Sequence, residues 1–122
     1  VAAADIILRQ HFEEKNRIAL IVLDSALEIA LKEFLVHGVE GDRYGDDRLR
    51  KLFGDRLAVH REVQRHVDIP KDVWRRIEYF YDLRSKMIHE RATVPVSDGQ
   101  IRSYRAAVQV VLRRLFDLQF ED

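Results

Sequence analysis

The sequence lacks cysteine and a long apolar run, and each absence excludes a class of site. No residue of the 122 is a cysteine, which excludes disulfide bonds, thiolate nucleophiles and cysteine-based zinc sites. The longest apolar run, Ile18 to Leu23, covers six residues, whereas a membrane-spanning helix needs roughly 20. We therefore expect no membrane segment, and we expect the protein to reside in the reducing cytoplasm.

The chain also lacks a net charge, because 21 basic residues balance 21 acidic ones. Overall electrostatics therefore do not indicate a nucleic-acid-binding protein. The segment from Arg48 to His66 departs from this balance, since it contains six Lys or Arg against Asp55 and Glu62. Two interpretations stand for it: a solvated helical face, or a surface that contacts phosphates.

The length predicts one domain that covers residues 1–122, because 122 residues leave no room for two independent cores. Hydrophobic residues make up 47% of the chain and charged residues 34%, an ordinary mixture for a folded helical protein. The first residue is Val1 and not Met. We expect this domain to be a fragment of a longer protein.

Apolar residues recur at steps of three and four, the spacing of amphipathic helices. No strand pattern competes, so we predict an all-α fold, a bundle of four to five helices. Gly54 is predicted to divide the second helical stretch, and Ser97 and Gln100 have the spacing of a capping box for the last helix. The predicted helices run from about Ala4 to Val36, over most of Asp46 to Val67, from Pro70 to His89 or Glu90, and from the capping box onward.

Arg84 breaks the apolar pattern of the third long stretch. At about 100° per residue it falls within the apolar arc, between Phe80 and Met87. A guanidinium keeps its charge, so burying it requires anionic partners, and the first helix offers Asp24 and Glu28. Arg84 is therefore either a structural ion-pair partner or part of a functional site.

The segment from Ile77 to Glu90 resembles the signature segment of HEPN domains. In that family an Arg, usually followed by a polar residue, is separated by four to six residues from a His near the end of a helix. Here Arg84 is followed by Ser85, and four residues separate Arg84 from His89. The first and final helices are also similar to the opening and closing helices of the family.

This resemblance implies a HEPN-like bundle that forms a homodimer and brings two Arg–His pairs into one cleft. Many members of the family are metal-independent ribonucleases of toxin–antitoxin and phage-defence systems. The resemblance implies that His89 acts as general acid–base on the RNA 2′-hydroxyl and Arg84 holds the phosphate. Ser85 would support His89 or the phosphate. No cofactor and no metal is implied, and an antitoxin or a fused domain is the expected further partner.

We expect the helix that bears the motif to form much of the two-fold interface, with Tyr79, Tyr81 and Met87 supplying apolar contact. Some toxins of the family carry a Tyr two residues after the His, where a partner enzyme modifies it. Here that position is Arg91, so this form of control is not expected.

The other histidines do not form a metal-binding pattern. The five His residues are scattered, and no His-Glu-x-x-His spacing is present. His60 and His66 are six positions apart and are predicted to be exposed. Two functions therefore remain: a HEPN-type ribonuclease, or a non-catalytic HEPN-like module that mediates dimerisation or partner binding within a longer protein.

Overall fold

A computed structural model describes the backbone of residues 2–38, 44–89 and 95–120, and the side chains of residues 14–38, 44–89 and 95–116. Over these residues the chain is an all-α bundle of five α-helices, as predicted. None of the described helices is both long enough and apolar enough to cross a membrane. The helices are α1 (Ala2–Glu33), α2 (Asp46–Phe53), α3 (Arg56–His66), α4 (Lys71–His89) and α5 (Asp98–Phe120), and a π-helical segment (Phe34–Gly38) follows α1.

The first helix changes from an α-helix to a π-helix near its predicted end. It was expected to stop near Val36, but the α-helix ends at Glu33 and continues as the π-helical segment to Gly38. Phe34 and Leu35 are consecutive and both buried. The wider turn of a π-helix changes the angle between successive side chains, which is compatible with both pointing into the core.

Gly54 divides the second helical stretch, as predicted. The carboxylate of Asp55 then caps α3, because its Oδ1 atom accepts hydrogen bonds from the backbone N–H groups of Leu57 and Ala58. This N-terminal cap satisfies donors that the first turn of a helix leaves without partners. Helix α3 consequently begins at Arg56, whose side chain lies in the interior of the bundle.

The starts of α4 and α5 agree with the predicted signals. The carbonyl of Pro70 accepts from the N–H groups of Val73 and Trp74. At α5, Ser97 N–H donates to Oε1 of Gln100 at 2.8 Å, and Gln100 N–H donates to Oγ of Ser97 at 3.1 Å. This is the reciprocal geometry of a capping box, so that prediction is confirmed. The predicted residue Glu90 and the position of Arg91 lie outside the described residues.

The core forms where α1, α4 and α5 pack together, with α3 closing one side. Phe80 of α4 stacks on Tyr104 of α5 with ring centroids 4.8 Å apart. Asn16 of α1 donates to the carbonyl of Val96 and to Oδ1 of Asp98, which fixes the start of α5 against α1. Fully buried side chains of the core include Leu20, Leu27, Leu31, Val59, Val63, Ile77, Tyr104, Val111 and Leu115.

Candidate functional site

A buried carboxylate, Asp24 of α1, lies at the centre of the bundle. Its side chain is 1% exposed, so its negative charge needs compensation from donors within the protein. Arg56 of α3 supplies two hydrogen bonds, from Nη2 to Oδ1 at 2.8 Å and from Nη1 to Oδ2 at 3.1 Å. This bidentate arrangement is the strongest form of an Arg–carboxylate pair.

Tyr104 of α5 completes the hydrogen bonding of Asp24. Its hydroxyl donates to Oδ1 of Asp24 at 3.0 Å. Burial of Tyr104 raises the pKa of its hydroxyl above the ordinary value, and the neighbouring charge of Asp24 raises that pKa further. The phenol therefore stays protonated and acts as a donor. Asp24 thus connects α1, α3 and α5 through hydrogen bonds.

Arg84 of α4 approaches the same carboxylate from another side. Its Nε atom lies 3.3 Å from Oδ2 of Asp24, but the geometry is not that of a hydrogen bond, and this buried atom has no other acceptor. The Arg84 side chain is 23% exposed. No described residue accepts a hydrogen bond from its terminal nitrogens. These two nitrogens are not buried, and they therefore contact solvent. The Nε atom of Arg84 is thus positioned beside Asp24, while its two terminal nitrogens are accessible to solvent.

The predicted link between Arg84 and the first helix is therefore present, and it involves Asp24. Glu28, the other predicted partner, lies 3.5 Å from Nη1 of Arg56 and 3.9 Å from Nζ of Lys32. Arg84 consequently lies beside a carboxylate whose two oxygens already accept three hydrogen bonds from Arg56 and Tyr104.

Arg56 is enclosed by further contacts of its own. Its Nε donates to Nε2 of His60 at 2.8 Å, and its guanidinium lies 4.7 Å from the ring centroid of Tyr81. Burial of His60, followed by the charges of Arg56 and Arg61, lowers the pKa of its imidazole to about 3. His60 is therefore neutral near neutral pH, with Nε2 as the acceptor and the proton on Nδ1.

The structure corrects two expectations about this part of the chain. His60 and His66 were predicted to be exposed, and that prediction is wrong, because His60 has a relative exposure of 0% and His66 is half-buried. Arg56 was counted in the basic segment, yet its side chain is 3% exposed and cannot contact a phosphate. Arg56 and His60 lie on the same arc of α3 as the buried Val59 and Val63. The argument from helical angle that identified Arg84 would also have identified Arg56.

The remaining basic segment is partly neutralised by Glu62. Tyr44 donates to Oε2 of Glu62 at 2.7 Å, Arg65 donates to both oxygens at 3.1 Å, and Arg48 lies 3.6 Å from Oε1. These contacts, with the Tyr44 hydrogen bond first, lower the pKa of Glu62. Burial, together with Glu62, raises the pKa of Tyr44 to about 12. This part of the basic segment is therefore a network of ion pairs.

The other two predicted site residues, Ser85 and His89, lie on α4 after Arg84. Ser85 is half-buried, and His89 is exposed at the last residue of the helix. Because α4 is helical through His89, the five positions from Arg84 correspond to about 140° around the axis, while Ser85 and His89 share a face. The structure thus brings Arg84 together with Asp24, and it places His89 on another side of the same helix.

The aromatic side chains of α4 differ in exposure. Tyr79 is 54% exposed and Ile88 is 43% exposed. Tyr81 is half-buried against Arg56 and His60, and Met87 packs partly against the core. Of the three residues expected at an interface, Tyr79 therefore offers the largest free apolar surface.

Comparison with known proteins adds no family or neighbour to this geometry. No family model, no curated protein and no solved structure matches the chain.

Proposed function

We propose that the domain is a metal-independent endoribonuclease that acts as a dimer. The observation that carries the proposal is the state of Arg84, whose Nε is fixed beside Asp24 while its terminal nitrogens are open to solvent. A guanidinium that is oriented in advance and has free donors suits the bidentate binding of a phosphate. The resemblance of the segment from Arg84 to His89 to the HEPN signature supports the same assignment.

The chemistry uses the 2′-hydroxyl of RNA as the nucleophile. His89 removes its proton, the 2′-oxygen attacks phosphorus, and the bond from phosphorus to the 5′-oxygen breaks. The departing 5′-oxygen takes a proton, which leaves a 2′,3′-cyclic phosphate and a 5′-hydroxyl. Arg84 binds the phosphate oxygens as negative charge develops, and Ser85, on the face of His89, orients the imidazole or the phosphate.

The separation of Arg84 and His89 around α4 is the reason for including a second copy. Side chains about 140° apart on one helix do not converge on one phosphate. A second copy of the chain can instead place its His89 near the phosphate that Arg84 of the first copy binds. Tyr79 and Ile88 supply exposed apolar surface on α4. The proposed site is therefore composite.

Incubation of single-stranded RNA with the purified protein in EDTA tests the reaction class. We expect cleavage with a 2′,3′-cyclic phosphate at the new end, because Arg and His chemistry needs no metal. Cleavage that stops in EDTA and returns with Mg²⁺ would contradict the proposal. So would 5′-phosphate products, since water would then be the nucleophile.

Mixing two inactive variants tests the composite site. Arg84→Ala and His89→Ala should each be inactive alone, because every site then lacks one group. In an equal mixture, half of the dimers carry one intact site out of two, so about one quarter of wild-type activity should return. Recovery of activity shows that the two groups come from different copies. Its absence, where subunit exchange is demonstrated with labelled protein, would contradict the composite site.

A second candidate function is a non-catalytic, HEPN-like module that mediates dimerisation or partner binding in a longer protein. The contact between Arg84 and Asp24 favours it, because that ion pair links α1 to α4 without any substrate. In either function we propose that the protein acts in the cytoplasm. The ribonuclease form would serve a toxin–antitoxin or phage-defence system with an antitoxin or a fused domain as its partner.

A further inference from the structure

α1 carries a second apolar surface on the side that faces away from the core. Ile18, Val22 and Ile29 project within about 40° of one another on a helical wheel, and Val36 is exposed in the π-helical segment that follows. Their exposures are 63%, 60%, 63% and 44%. We call these four residues the α1 stripe. The buried face of the same helix, with Leu20 and Leu27, lies on the opposite side.

The two central residues of the stripe are symmetric about one point of α1, and in the same register Ile18 and Val36 lie level with Glu33 and Lys15 of a second copy. Val22 and Ile29 lie at equal distances before and after the pair Ser25 and Ala26. Neither of these two residues has a bulky side chain, so another helix can approach closely at this point. We propose that the α1 stripe binds a second copy of the chain in antiparallel orientation, with the two-fold axis between Ser25 and Ala26. Each Val22 then packs against Ile29 of the second copy.

The charges beside the stripe favour this orientation. Glu14 and Lys15 are exposed near one end of the stripe, and Glu33 and His37 are exposed at the other. In an antiparallel pair, Lys15 lies near Glu33 of the second copy. A parallel pair would instead place Lys15 beside Lys15 and Glu33 beside Glu33, which is unfavourable.

This interface is independent of the proposed ribonuclease site. Asp24, which holds Arg84, lies on the buried side of α1, so a copy bound at the stripe leaves Arg84 open. The interface can therefore be present in an inactive protein, and the ribonuclease chemistry can be correct without the interface. The two proposals have separate tests.

The absence of native cysteine allows a cross-linking test with single-cysteine variants. Val22→Cys and Ile29→Cys should form a disulfide-linked dimer only when the two variants are mixed. In the proposed register, Val22 of one copy lies seven residues, about 10 Å along the helix, from Val22 of the second copy. This exceeds the Cα separation of roughly 7 Å that a disulfide permits, and the same holds for Ile29, so neither variant should cross-link with itself. Cross-linking of Val22→Cys with itself would indicate a parallel pair and overturn the proposal.

Light scattering of the full chain gives a second readout. Ile29→Glu places a charge in the stripe and should lower the mass of the assembly, because it removes this contact. Leu57→Glu, a matched change at another exposed apolar position, should leave the mass unchanged. Circular dichroism confirms that both variants remain folded. An unchanged mass for Ile29→Glu, or no cross-link in the mixed cysteine variants, would overturn the proposal and leave the stripe to a different partner.

Discussion

Nε of Arg84 lies 3.3 Å from Oδ2 of Asp24, although Asp24 already accepts a bidentate pair from Arg56. One buried carboxylate therefore has two arginines beside it, and they are held differently. Arg56 is enclosed and fully engaged, while Arg84 is partly exposed and has free terminal nitrogens. Arg56 is therefore a structural partner of Asp24, and the proposed phosphate-binding role of Arg84 rests on this difference.

The first prediction concerns the stability contributed by each arginine. Arg56→Met should lower the free energy of unfolding by about 3–5 kcal/mol, because it removes the hydrogen-bonded partner of a buried charge. Arg84→Met should change it by less than about 1 kcal/mol, since Asp24 keeps Arg56 and a partly solvated ion pair contributes little. Urea denaturation of the wild type and both variants measures the difference.

Both substitutions exchange an arginine for a residue of similar length, so each serves as the control for the other. A larger loss for Arg84→Met than for Arg56→Met would contradict the division of roles. It would show instead that Arg84 is the principal structural partner of Asp24, which favours the non-catalytic module.

The second prediction concerns pH. The pKa of His60 in the folded protein, about 3, lies below its ordinary value of 6.5, so the unfolded chain binds one more proton between these two pH values. The free energy of unfolding should therefore fall as pH decreases from 6.5 toward 3, by about 1.4 kcal/mol per pH unit from His60 alone. Denaturation at a series of pH values measures this slope.

His60→Gln isolates the contribution, because glutamine keeps an acceptor for Nε of Arg56 but does not titrate. Its slope should be smaller than that of the wild type by up to the amount above. His37→Gln, at an exposed position, controls for the substitution itself. Equal slopes for the wild type and His60→Gln would show that His60 is not buried in neutral form.

The third prediction tests the capping box of α5. Ser97→Ala should cost about 1 kcal/mol of stability, because it leaves the N–H of Gln100 without its acceptor. Gln100→Ala removes the reciprocal bond to the N–H of Ser97, and the double variant should lose less than the sum of the two. Ser103→Ala, inside the same helix, is the control and should cost less than Ser97→Ala. Additive losses would contradict a coupled cap.

The features that depend on residues close together in the chain were predicted from the sequence. Helix periodicity predicted the all-α bundle, Gly54 the break between α2 and α3, and Ser97 with Gln100 the start of α5. The π-helical segment from Phe34 was not predicted, because it depends on how consecutive side chains pack against other helices and not on periodicity along α1.

The interior of the site was predicted only in part. Arg84 interrupts an apolar face, and the sequence predicted Asp24 and Glu28 as its candidate partners, of which the structure shows Asp24. The principal role of Arg56 was missed because the residue lies among surface-like basic residues, although its helical angle places it on the same arc as Val59 and Val63. The angle between Arg84 and His89 follows from α4 remaining helical through His89.

The most direct test of the central claim compares two histidine variants in RNA cleavage. His89→Ala should lower the cleavage rate in EDTA by a factor of roughly 10²–10⁴, the range for removal of a general acid–base group. His37→Ala, the matched change at another exposed histidine, should cleave at the wild-type rate. Both variants should unfold at the same urea concentration as the wild type. Equal cleavage by the wild type and His89→Ala would contradict the account, because the activity would then not belong to this site.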